Sequence, residues 1–141
     1  MYKILETHTA DIGLEVKGQT LEELFIEAAR GWKQLVLEDA QTQPINYKTI
    51  QLTATDIHDL LVQWLSELNY LLTVQQWVVH DVPQLTIQKT SDQFILNAKV
   101  AGEPFDPNRH YVYFDIKAVT YHQLDIKYQD GFYNTRIIFD I

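Results

Sequence analysis

Two stretches in the first half of the chain repeat apolar residues at helical spacing, and nothing after about Val78 does. The first carries Leu21, Leu24, Phe25, Ala28, Ala29, Trp32, Leu35 and Val36 on one face, and opens on Thr20 with Glu23 three residues on, the pair that forms a capping box. The second starts at Thr55 or Asp56 and carries Ile57, Leu60, Leu61, Trp64, Leu65, Leu68, Leu71 and Leu72. The rest reads as strands: 2–5, 12–17 and 45–53, then 79–88, 93–101, 112–119, 122–129 and 132–140, with Asp130-Gly131 as a hairpin turn and a long break over 102–111. Between the first two strands, Glu6 to Asp11 is a polar connection where Asp11 and Gly13 favour a turn. Two long helices among antiparallel or mixed strands predict an α+β domain with the helices packed on sheet. No Pro-, Gly- or Ser-rich linker interrupts residues 1–141, so a single domain is expected.

Composition narrows the chemistry. With no cysteine, disulfides, thiolate metal sites and cysteine nucleophiles are excluded. There is no apolar run of membrane-spanning length and no signal-peptide pattern, and the expectation is a cytoplasmic protein without a membrane partner. The net charge of −8 and the absence of any Lys/Arg stripe argue against direct RNA capture and for a basic protein partner or a divalent cation. GLEVKGQT, residues 13–20, nearly matches a phosphate-binding loop, but Gln19 stands where that loop needs lysine. Ser66 and Ser91 lack a nucleophile elbow. No catalytic residue is assigned.

Four segments carry candidate chemistry. HTAD, residues 8–11, holds Asp11 between two strands, although an isolated Asp-Ile-Gly is more often a turn. At the other end, a strand carried almost to the last residue predicts a docked terminus that gathers the Asp140 carboxylate and the Ile141 α-carboxylate. Carboxylates 4 Å apart repel by about 4 kcal/mol at an effective dielectric near 20, so such a group calls for a cation. All-oxygen ligation suits Ca²⁺ or Mg²⁺. GEPFDPNRH, residues 102–110, is a rigid loop with Arg109 and His110, readable as a functional loop or as a turn with a solvated salt bridge. In IKAVTYH, residues 116–122, Tyr121 and His122 read as packing residues, because the five histidines show no metal-binding spacing.

Taken in order, HTAD, IGLEVKGQTLEELFIEAARG, DLLVQWLSELNYLL, GEPFDPNRH, KAVTYHQL and the final FDI resemble the archease family across essentially the whole chain. The resemblance implies a strand-helix-strand-strand module occurring twice. It also implies a divalent site, with calcium first and magnesium or manganese as alternatives, whose ligands fall on Asp11, Asp140 and Ile141. The implied function is accessory: activation of the GTP-dependent tRNA-splicing RNA ligase by promoting its guanylylation and multiple turnover, with RNA met only through that partner. Two other classes stay open. One is a chaperone or protein-binding module, and the other a metal-dependent hydrolase using Asp11 and Asp140 with His8 or His110 as base.

Overall fold

The computed structural model describes residues 1–5 and 10–141. Helix α1 spans Leu21–Leu37 and α2 spans Ile57–Thr73, each starting where a side chain satisfies an otherwise unpaired N–H. The Thr20 hydroxyl accepts from the Glu23 N–H at 3.0 Å, and the Asp56 carboxylate from the His58 N–H at 2.6 Å.

The strands form two antiparallel sheets. In the first, β2 (Asp11–Gly18) lies between β1 (Tyr2–Ile4) and β8 (Phe132–Asp140), and the far edge of β8 pairs with both β6 (Ala118–Val119) and β7 (Lys127–Gln129). In the second, β5 (Phe94–Pro104) lies between β3 (Asn46–Ala54) and β4 (Trp77–Lys89). The β7–β8 hairpin turns on Asp130 and Gly131, both at positive φ, the conformation an Asp-Gly pair adopts at least cost.

Strand alternation sends Ile12, Leu14 and Val16 of β2 inward with Ile137 and Phe139 of β8. Against them α1 packs its apolar face, and the same helix also meets β4 of the other sheet. Helix α2 packs on β3, β4 and β5 and reaches β6. The helices thus join the two sheets around one core, in which Trp32 and Trp64 are fully buried. A buried bond from Trp64 Nε1 to the Phe25 carbonyl, 2.9 Å long, fixes α2 against α1. No helix among the described residues is long and apolar enough to cross a membrane.

Three local expectations are corrected. Residues 112–117 are not strand, and only Ala118–Val119 of the expected 112–119 segment pairs. Their backbone groups go elsewhere: the Tyr113 N–H donates to the Val36 carbonyl at the end of α1, and Asn69 Nδ2 donates to the Ile116 carbonyl. The expected 122–129 strand shrinks to Lys127–Gln129. Finally, Asp11 and Gly13 lie within β2 rather than in a turn. A Cβ on Gly13 would stand 2.8 Å from Leu5 Cδ1, so the glycine leaves room for that side chain over the strand.

Candidate metal centre

Strands β2 and β8 run side by side, and their register sets Asp11 directly opposite Asp140. Next inward, Ile12 and Phe139 are buried, so both aspartates belong to the opposite, outer face of the sheet. The Ile141 N–H donates to the Ala10 carbonyl at 3.0 Å, docking the last residue beside Asp11. Because that bond marks a hydrogen-bonded position of the ladder, Asp11 and Asp140 occupy the adjoining non-hydrogen-bonded one, where facing Cβ atoms stand about 4.5–5.5 Å apart. On its other side Asp140 faces Ala118, and its carbonyl accepts the Lys117 N–H at 2.8 Å.

The two aspartates therefore stand opposite each other across β2 and β8, with Asp140 flanked on its other side by β6. Among the described residues neither makes an ion pair, and no group of three His, Asp or Glu side chains gathers to hold a metal. Like charges directly opposite on a sheet are destabilising, and the two acids could hold a hard cation, whose further oxygens would have to come from the Ile141 carboxylate, backbone and water. His8 lies outside the described residues. Beside Asp11 opens a cavity of about 300 Å³ whose lining includes Gly13, His122, Arg136 and Ile138. Read from sequence as a packing residue, His122 thus lines the space next to Asp11, and its place in the KAVTYH string was the one available signal.

GEPFDPNRH forms a different structure. Glu103 is 3% exposed and ion-paired with Arg109, and it accepts the Gln43 N–H at 2.6 Å. The Arg109 contact first of all, aided by the Gln43 N–H and opposed by burial, holds the Glu103 carboxyl below the usual carboxylate range. The side chain of His110 is fully buried. Its Nδ1 accepts the Asp106 N–H at 2.9 Å, which leaves the proton on Nε2, 3.6 Å from Glu103 Oε2. So placed, His110 belongs with the Glu103–Arg109 ion pair rather than with the cavity at Asp11.

A model of the Archease protein family (MTH1598/TM1083) matches residues 2–141. The chain belongs to the archease family. A protein archease of Methanosarcina mazei is 34% identical over 140 residues, which cover 99% of this chain and 95% of that protein. One from Thermococcus kodakarensis is 33% identical over 135 residues, covering 95% and 94%. Among solved structures, the solution structure of Methanobacterium thermoautotrophicum protein 1598 superposes with a TM-score of 0.82 at 25% identity, covering 99% of this chain and 98% of that one. A Thermotoga maritima crystal structure, described as an archease and possible chaperone, shares the fold with a TM-score of 0.57 at 20% identity, covering 95% and 93%. The archease relatives thus span almost the full length of the chain.

Proposed function

We propose that this chain is an accessory protein that holds a divalent cation, calcium first, at Asp11, Asp140 and the Ile141 α-carboxylate, and activates the GTP-dependent tRNA-splicing RNA ligase. The observation that carries the reading is the facing of Asp11 and Asp140 across β2 and β8 without an ion-pair partner among the described residues. A bound cation would supply positive charge at an exposed sheet end, within reach of a partner's phosphates. The chain's own residues do the positioning: β6 and β2 clamp Asp140, the Ile141 N–H docks the terminus, and Leu5 lies over Gly13. The role assigned is to promote guanylylation of the ligase and let it turn over repeatedly in the cytoplasm, with RNA handled by the ligase.

The test is ligation of broken tRNA halves in excess over a cognate ligase. Substoichiometric wild-type protein should convert roughly single turnover into multiple turnover, Asp11→Ala should not, and the surface control Glu23→Ala should behave as wild type. Unchanged turnover with wild type, or full stimulation by Asp11→Ala, contradicts the reading. The Thermotoga relative's description as a possible chaperone supplies the second reading. Suppression of aggregation of unrelated proteins without any effect on the ligase would favour it.

A further inference from the structure

The outer face of the first sheet carries an open groove of about 540 Å³ that runs across β1, β2, β8 and β7. Its charge is opposite to that of the molecule. Four of the chain's 11 Lys and Arg residues, Lys3, Lys17, Lys127 and Arg136, line it with only the two carboxylates Glu15 and Asp125, for a local net charge of +2 against −8 for the whole chain.

Strand register explains the arrangement. Lys3, Glu15 and Arg136 form one cross-strand row, and Lys17, Asn134 and Lys127 form the next, about 7 Å along the strands. Within the rows Glu15 takes Arg136 at 3.0 Å, and Asp125 sits 3.8 Å from Lys127. Lys17 lies over the Phe132 ring at 4.6 Å, and Lys3 makes no ion pair among the described residues. Cations from four separate strands thus converge on one concave surface with two positive charges left uncompensated. Such a surface is costly in self-repulsion unless it meets an anion.

We propose that this groove binds the phosphates of a small molecule of mononucleotide size. Its volume falls in the range of small-molecule sites, and lysine and arginine donors brought in from four strands suit the several oxygens of a di- or triphosphate. The overall charge of −8 repels a long polyanion, so a strand of nucleic acid is disfavoured while a compact phosphate ester is admitted. The groove shares Gln123 and Arg136 with the cavity beside Asp11. Arg136 and Asp140 are four residues apart on β8, about 14 Å at strand spacing. The groove stands on its own charges and needs neither the cation nor the ligase.

The test is calorimetric titration of the full chain with GTP, ATP, pyrophosphate and guanosine in EDTA and without ligase, so its failure leaves the cation and ligase readings standing. GTP, ATP and pyrophosphate should bind, guanosine should not, and affinity should fall as salt rises. Combined Lys17→Gln and Arg136→Gln should lower affinity at least about tenfold. Glu15→Gln, which frees Arg136 and removes a negative charge, should raise it about threefold, a gain that misfolding cannot mimic. Lys48→Gln, on the other sheet, should leave it unchanged. Absence of binding at millimolar ligand, equal binding of citrate, tighter binding of a short RNA than of GTP, or insensitivity to the groove variants would each overturn the proposal.

Discussion

Glu103 and Asp140 both sit at the end of a long strand of an acidic protein, and the fold treats them oppositely. Around Glu103 it supplies Arg109, the Gln43 N–H and the Nε2–H face of His110, and buries the carboxylate. At Asp140 it supplies a second carboxylate, Asp11, directly opposite, and leaves Asp140 exposed. A carboxylate neutralised from within holds a loop in place. One confronted with its like stores repulsion that an external cation can relieve. On this contrast Glu103 is a structural acid and Asp11 and Asp140 are the proposed binding acids, although GEPFDPNRH is the richer motif.

The largest expected effect comes from adding the cation. Calcium at 100 times its Kd should raise unfolding stability by about 2.7 kcal/mol, and EDTA should remove the gain; a calcium-independent denaturation midpoint would break the contrast on the binding side. Next, Glu103→Ala should cost about 2 kcal/mol in urea unfolding, because it removes the buried carboxylate that binds Arg109 and the Gln43 N–H, while calcium affinity stays at the wild-type value.

The pH dependence follows from the direction of the Glu103 shift. Its folded pKa lies below that of a free glutamate, near 4.5, so its contribution is fully present above that pH and is lost as pH falls through the depressed folded value. Stability measured from pH 7 down to 3 should therefore drop more steeply for wild type than for Glu103→Gln. Parallel curves would show that the buried ion pair contributes nothing. The smallest effect sharpens the other side: in EDTA, Asp140→Asn should raise stability by roughly 0.2–1 kcal/mol by removing the facing like charge. A loss of stability there would mean the two carboxylates are already compensated.

Much of the fold was legible because it is local. Helical spacing and the Thr20 and Asp56 caps gave both helices, and Asp130-Gly131 gave the last hairpin. What escaped was set by distant partners. Residues 112–117 carry strand-like side chains, yet their backbone is engaged by Val36 and Asn69, which no local pattern records. Gly13 suggested a turn, whereas its missing Cβ makes room for Leu5. The division into two sheets rests on β2 pairing with β8 across most of the chain length. The proposed ligands Asp11, Asp140 and Ile141 come from charge crowding and family resemblance, and the structure adds the facing of Asp11 and Asp140. The basic groove was not, because its cations come singly from four strands and form no run in the sequence.

The most direct measurement is a calcium titration by calorimetry on wild type, Asp11→Asn, Asp140→Asn and Glu103→Gln. The predicted result is one site in wild type, weakened at least about tenfold by either aspartate change and untouched by Glu103→Gln. No uptake by wild type at millimolar calcium, or wild-type affinity in both aspartate variants, would contradict the assignment of Asp11 and Asp140 as the binding acids.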